Sequence, residues 1–292
     1  MPTPLPVAWL NGNYLPLAEA RISPLDRGFL FADSVYEVVP VYGARPFLLR
    51  EHCARLERSL AAIRMSPPYT PEQWLDILQG LIDRNGGGDQ SVYLQVSRGA
   101  EEGRNHALPG GLTPTVFAFS TPLPPPAPDV LSAGVAAVTL PENRWRRCDI
   151  KSTMLLANAL ARTTAVDAGA VEAVYLTNGE LTEGASSAVL VVLDGVIHAP
   201  PETPAILPST TRALCMELAA RGGLPVQICR VPEGWVRTAG EMILCYATRG
   251  AIPVTTLDGK PVGAGRPGPV WTKLYGLFED YKRDVAGLPA LQ

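Results

Sequence analysis

The sequence predicts an α+β protein with much antiparallel sheet, arranged as two domains. Three observations lead there. Apolar residues alternate through short segments joined by tight turns, amphipathic helical stretches with their own start and stop signals lie between them, and the order shows neither a regular βαβ alternation nor an internal repeat. The chain has 292 residues, 47% of them hydrophobic and 18% charged, enough for two modest cores.

In chain order, "WLNGNYLPL" (9–17) places an Asn-Gly turn between apolar flanks, and "SVYEVVPVYGARPFLL" (34–49) repeats the pattern around Tyr42-Gly43, so two hairpins open the chain. "REHCARLERSLAAIRM" (50–65) carries Cys53, Leu56, Leu60 and Ile63 at helical spacing. The next helix starts at Thr70 as N-cap, with Pro71 in the first turn and Gln73 closing a capping box, and stops at Gly86-Gly87-Gly88. Strands follow in "SVYLQVSRG" and "TVFAFS". The proline cluster in "STPLPPPAPDV" has few donors and a stiff extended preference, so it reads as a linker. The expected division is a small domain at 1–120, a Pro-rich linker at 121–129 and a larger domain at 130–292. The second half mixes strands ("GVAAVTL", "EAVYLTNG", "SAVLVVLDGVIHA", "EMILCYAT") with helices expected at 152–168, 211–221 and 271–283.

Composition narrows the function. A formal net charge of -3 and no basic run beyond Arg146-Arg147 provide no field for nucleic acid or an anionic membrane, which leaves small molecules as ligands. The opening residues lack the n- and h-regions of a signal peptide, and the longest uncharged apolar run, "AVLVVL", is too short to span a bilayer, so a cytoplasmic protein is expected. Five scattered cysteines without a C-x-x-C pair, and three histidines, argue against a disulfide framework or a metal centre.

Several stretches can carry chemistry. Lys151 stands directly before an apolar helical stretch, where desolvation would favour the neutral amine that forms a Schiff base; its ordinary alternative is a surface lysine. Ser209 or Thr210 caps a helix whose free first-turn amides, with Thr211 and Arg212 beside them, suit a phosphate, or simply a cap. Glu183, followed by Gly184, Ser186 and Ser187 on an emerging strand, could pair with a protonated ring nitrogen while the serines bind anionic oxygens; a polar turn is the plain alternative. Arg104 and His106 lie two apart in a Gly-flanked loop, pointing the same way in extended backbone and fit to clamp a carboxylate. In "DSVYEVVPVYG" Tyr36 shares one face of a strand with Val38, either as a core tyrosine or as a polar handle facing a pocket. Neither a G-x-x-x-x-G-K-[ST] loop nor a G-x-S-x-G elbow occurs.

Taken together, "SPLDRGFLFADSVYEVV", "EHCARL", "GRNHALP", "RWRRCDIKS", "LTEGASSAV", "ILPSTTR" and "ATRGAIPV" resemble, in order and spacing, the class IV (fold-type IV) pyridoxal-phosphate aminotransferases, and within them the bacterial D-amino acid aminotransferases. The resemblance runs over nearly the whole chain. It implies a two-domain fold with the cofactor pyridoxal 5'-phosphate (PLP) in the larger domain. It further implies that Lys151 forms the Schiff base and Glu183 bonds the pyridine nitrogen, that Arg55, Thr210, Thr211 and Thr248 hold the phosphate, and that Trp145, Ser186, Ser187 and Leu207 line the pocket. Tyr36, Arg104 and His106 match the family's carboxylate trap, with the Arg and His supplied by the partner of a homodimer. The reaction implied is ping-pong transamination between D-amino acids, such as D-alanine or D-glutamate, and 2-oxo acids. Same-fold alternatives are a branched-chain L-amino acid or (R)-amine aminotransferase and an aminodeoxychorismate lyase. The chain departs from the pattern at Ala185, Ala188 and Tyr246-Ala247-Thr248-Arg249-Gly250: a hydroxyl is missing at 247, Tyr246 is expected to narrow the pocket, and Arg249 either binds a second substrate carboxylate or faces outward in an ion pair.

Overall fold

Alternation in the first third of the chain, where one face of each strand is apolar, builds a single antiparallel sheet. In a computed structural model describing residues 2–287, its strands are β1 (Val7–Leu10), β2 (Asn13–Pro16), β3 (Ser34–Tyr42), β4 (Arg45–Pro46), β5 (Gln90–Ser97) and β6 (Thr115–Pro122), in the order β2-β1-β6-β5-β3-β4. Both expected hairpins form: Leu10 pairs with Asn13, and Tyr42 with Arg45. A short helix, α1 (Arg27–Phe31), capped by the Asp26 side chain, precedes β3. Two longer helices, α2 (Leu49–Ala62) and α3 (Pro71–Arg84), bury Cys53, Leu56 and Leu60, and Trp74, Leu78, Leu81 and Ile82, against Val35, Val39, Val41, Val92 and Val96 of the sheet. The capping box is present, Gln73 N donating to Thr70 Oγ1 (3.3 Å) and Thr70 N to Gln73 Oε1 (2.9 Å).

The second half builds a mixed sheet. Its elements are α4 (Pro128–Ala133), β7 (Val135–Pro141), α5 (Leu156–Asp167), β8 (Glu172–Thr177), β9 (Glu180–Gly184), β10 (Ala188–Leu193), β11 (Val196–Ala199), α6 (Thr210–Arg221), β12 (Val226–Ile228), α7 (Glu233–Thr238), β13 (Glu241–Tyr246), β14 (Gly250–Leu257), β15 (Lys260–Pro261) and α8 (Pro269–Ala286). The strand order is β12-β11-β10-β13-β14-β7-β8-β9, with β15 on β14. The β11–β12, β14–β7 and β7–β8 pairs are parallel and the others antiparallel. Leu190, Val191, Ile243 and Leu244 in the middle strands are fully buried, which is why these segments read as continuous apolar runs. Among the described residues no helix is long and apolar enough to cross a membrane. The cysteines are free, and burial pushes the Cys53 and Cys148 thiols up to about 12 and about 11.

The chain divides into two compact units. Among the described residues, one holds 2–124 together with Ile150–Met154 and 285–287; the other holds Pro125–Asp149 and Leu155–Asp284. The excursion at 150–154 corrects the expected helix start at Ser152. Ser152 bridges to Val35, Tyr36 N donates to Lys151 O (2.9 Å) and Thr153 N to Ser34 O (3.1 Å). These bonds hold the backbone extended beside β3, so α5 begins only at Leu156, and Lys151 sits on a strand-like segment rather than at a helix mouth.

Leu60, fully buried beneath the first sheet, tests this packing. Leu60→Ala should lower stability by about 3 kcal/mol through lost burial and a residual cavity, read from urea unfolding.

Candidate active site

Strand alternation puts Glu37 on the same face of β3 as Val35, Val39 and Val41, so a carboxylate enters the core at 1% exposure. Two residues of α2 on one flank answer it, and a third on that flank holds the Lys151 backbone. Arg55 donates from Nε to Glu37 Oε1 and from Nη2 to Oε2, both at 2.7 Å, His52 Nδ1 lies 2.7 Å from Oε2, and Ser59 one turn on accepts the Lys151 amide (3.2 Å). Burial works against a charge on Glu37, but Arg55 and then His52 overcome it and hold the carboxyl well below the usual carboxylate range. Burial likewise pushes His52 down, outweighing the pull of Glu37, so the imidazole stays neutral and its Nδ1–H donates. On the other face of β3, half-buried Tyr36 stacks on Tyr93 (5.6 Å between centroids) and carries the Lys151 ammonium nitrogen 4.4 Å from its ring centroid.

Arg104 and His106 are also brought together, both exposed on the loop between β5 and β6. Each lies against Phe31: the Arg104 Cζ is 4.9 Å and the His106 ring centroid 5.5 Å from the Phe31 centroid.

In the second unit, Glu183 ends β9 at 6% exposure. Arg144 Nη1 donates to its Oε1 (2.7 Å) and Leu207 N to its Oε2 (3.1 Å). Arg144 is itself fixed by Glu142, through Nε to Oε1 (2.9 Å) and Nη2 to Oε2 (2.6 Å), and lies 4.4 Å from the Tyr175 ring centroid. Burial pushes Glu183 up to about 7 against Arg144 and the Leu207 amide. A further cationic N–H donor would therefore favour its ionised form, and each carboxylate oxygen has a further lone pair to offer one. Ser209 caps the twelve-residue α6 by accepting the Arg212 amide (3.1 Å), which leaves the first-turn amides of Thr210 and Thr211, both buried residues, to an external acceptor. A phosphate suits that position.

Ser186 and Ser187 turn their hydroxyls to a protein carboxylate. Both donate to Glu172 Oε2, at 2.6 and 3.0 Å, and Glu172 is wholly buried. Tyr246 donates to the same oxygen (2.9 Å) and its ring belongs to the apolar core, so its bulk is absorbed there instead of standing in a pocket. Thr248 and Arg249 occupy the turn joining β13 to β14. Arg249 is exposed, with Cζ 5.7 Å from the Tyr246 ring centroid, and among the described residues it has no carboxylate within 4.0 Å, so the outward ion pair is not formed. Trp145 is 38% exposed and its carbonyl accepts the Cys148 thiol (3.1 Å).

Sequence reasoning missed Glu37, His52, Arg144 and Glu172. An acid at a core position of β3 is the one available signal for the first two. Nothing separates Arg144 from Arg146 and Arg147 in the sequence.

Each unit by itself carries chemistry that suits PLP: the first has the Lys151 amine for an aldehyde, and the second has a buried carboxyl at the end of β9 for a cationic ring nitrogen and first-turn helix amides for a phosphate. The family model for amino-transferase class IV matches residues 34–257. A D-alanine aminotransferase of Bacillus licheniformis is 38% identical over 260 residues, 89% of this chain and 91% of that protein, and one of Staphylococcus aureus (strain MW2) is 36% identical over 274 residues, 94% and 96%. Among solved structures, a T.th. branched-chain amino acid aminotransferase with pyridoxamine 5'-phosphate superimposes with a TM-score of 0.88 at 27% identity, covering 98% of this chain and 95% of that one. The branched-chain amino acid aminotransferase of Escherichia coli shares the fold, with a TM-score of 0.87 at 24% identity, covering 94% of each chain.

The depressed Glu37 gives stability that is present above the unfolded value near 4.5 and is lost as pH falls below it. Glu37→Gln should flatten this acid limb and, by stranding a buried guanidinium, cost about 3–5 kcal/mol at pH 7. Urea midpoints of the two proteins at pH 7 and pH 3.5 measure both effects.

Proposed function

Because the chain belongs to the class IV aminotransferases, we propose that it transfers the amino group of D-amino acids, of the D-alanine and D-glutamate type, to 2-oxo acids in the cytoplasm, as a homodimer. The enzyme is an aminotransferase and its cofactor is PLP. The observation that carries the choice of D-amino acids is the 38% identity to a D-alanine aminotransferase over 89% of the chain, against 27% to a branched-chain enzyme of the same shape. The pairing of Arg104 with His106 on one ring adds a ready carboxylate clamp.

Bound PLP would supply an aldehyde that takes up the amino group and a ring that accepts negative charge from the substrate's α-carbon. Lys151 would serve as the amine that holds the aldehyde between turnovers and then as the base that takes the proton from the substrate α-carbon and gives it up at the former aldehyde carbon. Its backbone is pinned by Ser59 and Tyr36, which fixes the origin of the side chain. Glu183 keeps positive charge at the ring nitrogen, and Arg144 and the Leu207 amide keep its two oxygens aimed. Arg55, the Thr210 and Thr211 amides and Thr248 hold the phosphate; Leu207, Ser186, Ser187 and Trp145 line the site. Tyr36 of one protomer, with Arg104 and His106 from the other, binds the substrate carboxylate. Support for the dimer comes from α5, whose Leu156 and Leu160, one turn apart, are 75% and 59% exposed. Arg249, exposed and without a carboxylate partner among the described residues, takes the second carboxylate of glutamate or 2-oxoglutarate.

Two experiments test this reading. D-alanine, but neither L-alanine nor L-leucine, should convert the absorbance of the bound cofactor to that of its amine form, and Arg104→Ala should cut kcat/KM for D-alanine by about 100-fold, the scale of a lost bidentate charge contact, with cofactor still bound. A response to L-leucine alone would move the protein to the branched-chain enzymes. Separately, Arg249→Ala should raise the KM for 2-oxoglutarate about tenfold while leaving that for pyruvate unaltered, as expected for one exposed charge pair; equal values for both acceptors would remove Arg249 from the site.

A further inference from the structure

The loop that carries Arg104 and His106 is held by a device outside the carboxylate clamp itself. Its base is pinched shut: Gly99 has φ +101° and a Cβ there would lie 2.0 Å from Thr113 O, so only glycine lets the two arms approach. The inner wall is Arg27, on α1 and only 2% exposed. Its Nη1 donates to Glu101 Oε1 (2.6 Å) and to Asn105 O (2.7 Å), and its Nε donates to Asp33 Oδ2 (2.8 Å). The loop is thus gripped on both sides of Arg104 by one buried guanidinium. Phe31, one turn further along α1, lies with its ring centroid 4.6 Å from Arg27 Cζ, 4.9 Å from Arg104 Cζ and 5.5 Å from the His106 ring. One aromatic ring therefore meets the buried grip and both exposed groups.

We infer that Phe31 is a positioning residue for substrate recognition: an aromatic platform, fixed from below by Arg27, that holds Arg104 and His106 in the side-by-side arrangement needed to bind a carboxylate. The physical reason is entropic. An exposed arginine and an exposed histidine each lose rotamer freedom when a substrate is bound. Stacking on a ring that is itself immobile removes part of that cost beforehand, through cation–π and edge contacts. In this role Phe31 acts through Arg104 and His106 and not on the reacting atoms, so its effect falls on carboxylate affinity. The inference rests on the reading of Arg104 and His106 as the carboxylate clamp.

The test uses the PLP-loaded protein and propionate, a carboxylate with no amine to react, whose Kd is read by calorimetry beside the KM for D-alanine. Phe31→Leu should raise both about fivefold, the size of the cation–π attraction that the ring provides, and Phe31→Tyr, which keeps the ring, should restore them. In the Phe31→Leu/Arg104→Ala double variant, the loss for propionate should fall short of the two single losses combined, because the platform acts in part through that arginine. If Arg104→Ala weakens propionate but Phe31→Leu leaves it unchanged, the platform is overturned and the clamp stands. If Arg104→Ala itself has no effect on propionate, the clamp reading fails and the platform with it. Should Phe31→Leu not fold, Glu101→Gln loosens the same loop without touching the ring; an unaltered propionate Kd in that folded variant overturns the inference.

Discussion

The constraint on which the first unit turns is a carboxylate placed where the strand pattern calls for an apolar side chain. Glu37 sits in the core face of β3, and an unpaired charge there would be costly. Arg55 and His52 satisfy it, and both come from one flank of α2, so the helix is locked in rotation and register against β3. The next residue on that flank, Ser59, holds the Lys151 amide. One buried ion cluster thereby sets the arginine, the backbone of the lysine and, through β3, the tyrosine beneath the lysine's amine. Apolar packing alone would stabilise α2 without fixing its angle so tightly, since volume-conserving slips cost little.

The second unit repeats the device with different chemistry. Glu172, on β8, gathers Ser186, Ser187 and Tyr246 onto one oxygen, tying the segment after Glu183 to the end of β13. Glu183 is braced by Arg144, which is braced in turn by Glu142. The contrast in charge state is informative. Glu37 has two close partners and is held ionised, whereas Glu183 is pushed up to about 7 because one guanidinium shared with Glu142 does not offset its burial. The first is finished as a structural element; the second is left able to interact with a further cation.

How much of this the sequence could reveal follows from the range of each interaction. The opening hairpins, the capping box at Thr70 and the apolar stripes of α2 and α3 depend on residues within a turn or two, and they read directly. The fold class, Lys151, Glu183 and the Arg104–His106 pair were visible as types in local patterns, and their shared order along the chain pointed to the family. What could not be read is what depends on distant partners. "MLLANALA" has helical composition, but β3 claims the residues before it, so the helix starts late. The serines after Glu183 look free until Glu172, fourteen residues upstream of Ser186, takes their hydroxyls. Arg144 is one of three closely spaced arginines, and only the fold singles it out.

The extended segment 150–154 carries a consequence for how the protein is made. The first unit is not complete when residue 124 leaves the ribosome, because a strand-like piece that β3 binds lies beyond the stretch 125–149. Until that piece arrives, the amide of Tyr36 and the carbonyl of Ser34 lack their partners in Lys151 and Thr153. Synthesis therefore supplies the missing edge of β3 with the same five residues that carry Lys151, so pairing that strand and fixing the lysine's backbone are one event in the birth of the chain.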